Sequence, residues 1–195
     1  MKTKPRKTRT SWNEPGQAHF VTYSTFNQYP LLTKPRTRQW VLEAMESVRL
    51  NQDVAIWAYV IMPEHVHVLI CPRRSNYEMR QILAGLKRPV SKNARAYLED
   101  IGSNDWLKRL STVRRRANGG THSQFRFWLP GGGFDKNISS ERSVREVVEY
   151  IHQNPVRRGL CDVSVDWRWS SAGFWDGMTD VPILMDHPFD FSLTV

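Results

Sequence analysis

The stretch VAIWAYVIMPEHVHVLIC, residues 54–71, decides the fold. Val54 to Met62 is a nearly continuous apolar run, the pattern of a strand buried on both faces and so of a central place in a sheet. Pro63 and Glu64 interrupt it, and His65 to Cys71 then alternates as a second strand. Two strands joined by so short a link form a hairpin. Successive side chains of a strand point to opposite faces. His65 and His67 therefore leave the sheet on one side, and Val66 and Val68 on the other. Two imidazoles so placed can occupy adjacent positions on one metal ion.

Working outward, HFVTY (residues 19–23) reads as a first strand, rich in β-branched and aromatic residues. From Thr37 to Leu50, the residues Trp40, Val41, Ala44, Met45 and Val48 recur at helical spacing. A second helix is expected from Asn76 to Leu98, broken at Lys87-Arg88-Pro89 because the residue before a proline disfavours the α conformation. Residues 99–124 include LKRLSTVRRRANGGTHSQ, with six basic residues counting His122 and no acid, and suggest an exposed loop or short helix. FRFWL (residues 125–129) reads as a fourth strand, and Pro130 to Gly133 as a turn. Ser140 to Gln153 is a helix with Ser140 as its cap, an apolar face of Val144, Val147, Val148 and Ile151, and Pro155 as its stop. The order β-α-β-β-α-β-α predicts an α+β, ferredoxin-like sandwich: an antiparallel sheet with helices on one face and the two histidines on a central strand. The expected organisation is a flexible basic arm over residues 1–15, a single domain over 16–180 and a C-terminal tail over 181–195.

Lys and Arg number 28 against 19 Asp and Glu, for a net charge of +9 and a pI near 9.9. Such a surface attracts polyanions, nucleic acid above all. No apolar run approaches the ~20 residues of a spanning helix, and the basic N-terminus lacks the apolar stretch of a secretory signal. Cys71 and Cys161 form no CxxC pair, which points away from a thiolate zinc site and towards a reducing cytoplasm. Other enzymes with paired histidines fit poorly. An HxHxDH hydrolase needs Asp and His where Leu69 and Ile70 stand, and a (β/α)₈ barrel needs about 250 residues.

Tyr150 and Asn154 lie four residues apart in the last helix, within about 40° on one face. A phenol and an amide oxygen one turn apart can address one ion, and Asn154 would complete an N,N,O site with open positions. Mg²⁺ or Mn²⁺ bridging to a phosphate oxygen suits such a site, although imidazole also suits Zn²⁺ or Ni²⁺.

MPEHVHVLI resembles the HUH motif (histidine, bulky hydrophobic, histidine) of the IS200-like single-tyrosine transposases. EYIHQNPVRRGL is similar to the catalytic helix of their REP-associated branch, and DWRWSSAGFW to that branch's C-terminal W-S-S segment. The resemblance implies a ferredoxin-like fold, a divalent metal held by His65, His67 and Asn154, and nucleophilic attack by Tyr150 through a 5′-phosphotyrosine. Its implied substrate is single-stranded DNA bearing short palindromic hairpins. Arg157 and Arg158, just past the helix, and the run Arg114, Arg115 and Arg116 are candidates for contacting that DNA. Arg73, Arg74, Lys87 and Arg88 are further basic candidates, and Trp167 and Trp169 could stack unpaired bases. Glu146, Glu149 and His152 lie near Tyr150 in sequence, without any one being singled out as a proton carrier. The long separation of His67 from Tyr150 suggests an insertion over Lys108–Arg116 and Pro130–Asn137. The expected function is DNA cleavage and strand transfer in the cytoplasm at the nucleoid, by a monomer or a homodimer. The competing reading is a hairpin-binding protein of the same descent that no longer cuts.

Overall fold

A computed structural model describes residues 12–115 and 119–189. Most of the expected arm, the end of the tail and Arg116 lie outside the described residues, as do the side chains of Arg114 and Arg115. In chain order the elements are β1 (Ala18–Ser24), α1 (Pro35–Asn51), β2 (Val54–Ile61), β3 (His65–Pro72), α2 (Met79–Asp100), α3 (Asn104–Arg109), β4 (Ser111–Arg115), β5 (Thr121–Phe125), β6 (Phe134–Ile138), α4 (Glu141–Arg157) and α5 (Ala172–Trp175). The main sheet has the order β2-β3-β1-β6 and is antiparallel throughout, with β3 and β1 inside. Strands and helices thus follow the expected α+β plan, and the two histidines lie on an inner strand.

Each face of the sheet carries its own core. Val21, Tyr23, Ile56, Val66, Val68 and Ile70 pack against α1 and α2. Ala18, Trp57, Val60 and Leu69 pack against Val144, Val148 and Ile151 of α4. The expected helical layer is therefore α1 and α2, while α4 lies on the opposite face, a separation that the apolar pattern of α4 alone does not reveal. Gly85 lets α1 and α2 approach: a β-carbon there would meet Val48 at 2.7 Å and collide with Gln52.

β2 is buried along its whole length, yet it is an edge strand and not a central one. Its outer side is covered by the C-terminal segment. Ile61 N donates to Trp169 O (2.8 Å), Ser171 N to Tyr59 O (3.0 Å) and Asp186 N to Ile56 O (3.0 Å). The indoles of Trp167 and Trp175 donate to Ile61 O and Trp57 O. An edge strand without such cover would present open hydrogen-bonding groups to other chains.

Two prolines that read as breaks are absorbed. α2 runs unbroken through Pro89, because Leu86 and Val90 on either side are fully buried. The Lys87 carbonyl there also accepts from the Trp128 indole (2.9 Å) and the Ser91 hydroxyl (3.1 Å). α4 begins as expected, with Ser140 Oγ accepting from Ser143 N (3.2 Å). It continues past Pro155 to Arg157, the proline being buried. The fourth strand of the sheet is β6, not FRFWL. Phe127 and Trp128 do enter the core, but as an irregular run beside the end of β1, whereas FDKNI pairs with β1 from Phe134 opposite Thr22 to Ile138 opposite Ala18. The alternation Phe134, Lys136, Ile138 is masked in sequence by its charged and polar neighbours. Residues 99–124 form α3 and a separate β4–β5 ribbon.

Parts assigned to the arm and the tail are fastened to the domain. Asn13 Oδ1 accepts from Met79 N at the start of α2 (3.3 Å), and Glu14 O accepts from the Tyr77 hydroxyl (3.0 Å). Ile183 is buried. The Asp186 carboxylate accepts from Arg49 Nε (3.0 Å), Ile56 N (3.1 Å) and the Arg73 guanidinium. Replacing Asp186 with Ala should therefore lower the unfolding free energy by about 2–3 kcal/mol. Leu184→Ala, at an exposed site, should change it by less than about 0.5 kcal/mol. Urea denaturation of the two variants checks this, and equal stabilities would show that the tail is only loosely attached.

Candidate functional site

Strand alternation and register bring the site together. His65, His67 and Leu69 of β3 face the α4 side, and β1 places Thr22 opposite His67 and Phe20 opposite Leu69. Thr22 Oγ1 lies 2.7 Å from Nδ1 of His67. Glu64, in the turn before β3, holds Nδ1 of His65 at 3.1 Å and accepts a hydrogen bond from Arg158 Nη1 at 2.7 Å. With both Nδ1 atoms held, the two Nε2 atoms converge to 3.0 Å. An ionised carboxylate can only accept, so Glu64 keeps the proton of a neutral His65 on Nδ1 and leaves the Nε2 lone pair facing His67 Nε2.

That separation bears on metal binding. Two nitrogens each about 2.1 Å from one ion, at right angles, stand about 3.0 Å apart. Burial, reinforced by the neighbouring His65, pushes the His67 pKa down to about 3, although a hydrogen bond that Asn154 accepts from the ring opposes the shift. Burial also lowers His65, against the pull of Glu64. Burial alone would raise the Glu64 carboxyl, but Arg158 and His65 bring it below its ordinary value. Both imidazoles are thus neutral near pH 7, the form that binds metals.

α4 crosses this face and supplies the other two groups. Asn154 Nδ2 donates to Tyr150 O (2.7 Å), and the Asn154 side chain pairs with His67. The hydrogen bond with His67 favours the charged imidazole, so it is the amide oxygen that accepts it and faces the ring. The Tyr150 ring meets His67 edge-on at 5.4 Å between centroids and Phe20 at 5.7 Å, and Phe20 stacks on His67 at 5.7 Å. Tyr150 keeps 38% of its surface exposed, so its phenol is both held and accessible. Arg157 lies over its ring at 5.5 Å. Phe134 extends the aromatic floor beside Phe20, and Lys136, opposite Phe20 in the register, adds a cation on the same face. No group of three or more His, Cys, Asp or Glu suited to a metal occurs among the described residues. The donors assembled here are two imidazoles and one carboxamide.

The remaining candidates divide. Arg157 is at the site, while Arg158 is bound to Glu64. Arg114 and Arg115 belong to β4, away from the main sheet, and Arg116 lies outside the described residues. Arg73 is bound to Asp186, and Lys87 holds the carbonyls of Leu129 and Gly131. Trp167 and Trp169 flank the guanidinium of the buried Arg38, at 4.8 and 5.3 Å from the ring centroids, so they pack on the protein's own cation instead of presenting free faces to bases. His152 turns the other way along α4 and is buried, its Nε2 2.8 Å from Ser171 Oγ. Glu146 pairs with Arg142. The sequence reading missed Thr22, Phe20, Glu64 and Lys136. Glu64 could have been found as the carboxylate next to His65, but the others emerge only once β1 is registered on β3 and β6.

No family model matches this chain. A curated protein of Haemophilus influenzae (strain Rd), named as a REP-associated tyrosine transposase, is 28% identical over 116 residues. The match covers 58% of this chain and 56% of that protein, so the chain spans little more than half the length of its curated relative. The solved structure of a REP-associated tyrosine transposase bound to a REP hairpin superposes with a TM-score of 0.61 at 21% identity, over 95% of this chain and 94% of that one. The chain is thus similar in sequence to one such protein and shares the fold of another, in line with the resemblance carried by its motifs.

The buried His152 supplies a pH test. Burial lowers its pKa to about 4, against about 6.5 in an unfolded chain. The unfolded state takes up a proton below pH 6.5 that the native state refuses. Its contribution is therefore complete above that pH and is lost on acidification, by up to about 1.4 kcal/mol per pH unit down to about pH 4. Urea unfolding in chelator-treated buffer from pH 7.5 to 4.5 should show this decline, and NMR should find the His152 ring neutral throughout most of the range. An imidazole that titrates near pH 6.5 would contradict the buried placement.

Proposed function

We propose that this protein cleaves and rejoins single-stranded DNA at hairpin-forming elements, with Tyr150 as nucleophile. The observation that carries the proposal is the contact of the Tyr150 ring with His67, whose Nε2 converges with that of His65. A phenol is a weak nucleophile near neutrality and needs an activated, fixed phosphorus. A divalent ion such as Mg²⁺ or Mn²⁺, held by His65, His67 and Asn154, would supply Lewis-acid polarisation of a phosphate oxygen when bound. Glu64 and Thr22 fix the two rings through their Nδ1 atoms, so that little reorganisation remains at the moment of reaction. Phe20 and His67 brace the Tyr150 ring from the sheet side, which narrows the directions its hydroxyl can take. Arg157 and Lys136 stand where they can hold the flanking phosphates.

In the cleavage step the Tyr150 oxygen bonds to phosphorus and the bond from phosphorus to the 3′ oxygen breaks, leaving a 5′-phosphotyrosine and a free 3′-hydroxyl. The ester conserves the energy of the phosphodiester, so attack by another 3′-hydroxyl restores a phosphodiester and frees Tyr150 without ATP. The fold shared with a hairpin-bound transposase supports hairpin DNA as the substrate. The basic composition supports a nucleic-acid partner, and the reaction would take place on the nucleoid in the cytoplasm. A helix-borne tyrosine cannot easily come into line with a phosphate inside an intact duplex, so blunt duplex DNA should be a poor substrate.

Incubating the protein with labelled hairpin DNA carrying unpaired flanks, in Mn²⁺ or Mg²⁺, should give a covalent adduct that survives denaturing electrophoresis. Tyr150→Phe should abolish it, and Glu64→Ala should slow it by about ten- to a hundredfold. Tight hairpin binding with no adduct under any metal would overturn the cleavage reading in favour of a protein that binds hairpins and no longer cuts.

A further inference from the structure

β6 forms one border of the four-stranded sheet. Its Ile138 lies in the core under α4, so by strand alternation Phe134 and Lys136 point to that same side. Asp135 points the other way. It is buried and accepts a hydrogen bond from Nδ1 of His19 (2.7 Å), whose Nε2 lies 2.8 Å from the Tyr77 hydroxyl. A buried carboxylate is costly unless partnered. This pairing therefore pins the parity of β6 and turns Phe134 and Lys136 towards the site.

Gly133 fixes where the strand starts. Its φ is +75°, and a β-carbon there would collide with the carbonyl of Thr22. Phe134 thus enters the sheet opposite Thr22, which is itself opposite His67. Strands about 4.8 Å apart put Phe134 about 10 Å from His67 across this row. Lys136 lies opposite Phe20 in the neighbouring row of the same face.

Phe134 meets Phe20 edge-on at 5.8 Å between centroids, and Phe20 stacks on His67. Even so, 50% of the Phe134 surface stays exposed. An exposed apolar side chain alone is ordinary; the company of this one gives it a direction. Lys136 and Arg157 are exposed cations on the same face, and Arg157 lies over the Tyr150 ring. Rings interleaved with cations suit unpaired nucleic acid, because the cations take phosphates and the rings take base faces. A duplex keeps its base faces stacked on one another, so only an unpaired base can use such a ring. At about 3.4 Å per stacked nucleotide, the distance of about 10 Å is spanned by about three nucleotides.

We propose that Phe134 is the stacking platform for an unpaired base within about three nucleotides of the phosphate presented to Tyr150, with Lys136 on an adjoining phosphate. The inference rests on the single-stranded DNA reading and deepens it, by naming the residue that grips the strand through a base and not through its backbone.

The test uses the full chain carrying Tyr150→Phe, which cannot form the ester, and two probes of equal length and charge: oligothymidine and an abasic phosphodiester chain. F134A and F134L should each weaken oligothymidine binding by about five- to a hundredfold, and F134W should restore it. Binding of the abasic chain should change less than about twofold in all three. K136Q should weaken both probes alike and reduce the slope of log affinity against log salt by about 0.7. F134L keeps the apolar bulk, so a loss that it shares with F134A only on the probe with bases is not a folding defect. No binding of oligothymidine, unchanged binding in F134A, or an equal loss on both probes would overturn the proposal. Self-association that F134A abolishes, with oligothymidine binding unchanged, would overturn it in favour of a contact with a second copy. The readout is binding and not cleavage, so the two readings separate. If the chain with Tyr150 forms no adduct on any hairpin DNA while the base-dependent loss persists, the cleavage reading fails and the platform stands.

Discussion

Phe20, Thr22, His65 and His67 share one surface because β3 pairs with β1 in a single antiparallel register. A slip of one residue would turn both imidazoles into the apolar layer under α1 and α2 and expose Val66 and Val68 in their place. The burial of Val66, Val68 and Ile70 makes that slip prohibitive. The hydrophobic core on one side of the sheet therefore fixes the chemistry on the other. α4 completes the arrangement through its own apolar stripe: with Val148 and Ile151 packed on the sheet, Tyr150 and Asn154 have no choice but to lie along the histidine side.

Much of this was legible in the residues themselves. The HxH spacing on an alternating strand and the four-residue step from Tyr150 to Asn154 are statements of local geometry, and local geometry survives folding. Local rules fail where tertiary contacts overrule them. Pro89 and Pro155 carry real helix-breaking tendencies, overcome by the burial of Leu86 and Val90 beside the first and of the second proline itself. Val54–Ile61 has the composition of a central strand because Trp167 to Asp186 covers its free edge, a partnership spanning more than a hundred residues that no periodicity can show. FDKNI hides its strand pattern because the residue it buries on the face towards α1 and α2 is the charged Asp135, paired with His19, and not an apolar one.

Positive charge proved a poor guide to location. Arg38 is buried between two indoles, Arg73 fastens the C-terminal segment, Lys87 holds a turn, and Arg158 acts on a carboxylate that orients an imidazole. Each neutralises or satisfies a group of the protein itself. Arg157 and Lys136 share the phenol's side of the sheet.

The segment that closes β2 also sets a condition on biosynthesis. β2, one of the most apolar stretches of the chain, leaves the ribosome long before Trp169, Ser171 and Asp186 do. Until those residues arrive, the nascent polypeptide presents a sticky, unpaired border of eight apolar residues, the kind of surface on which growing chains aggregate or recruit chaperones. A premature stop between Arg157 and Trp167 would thus release a molecule with its histidine strand and tyrosine helix already made and one flank of its sheet still open.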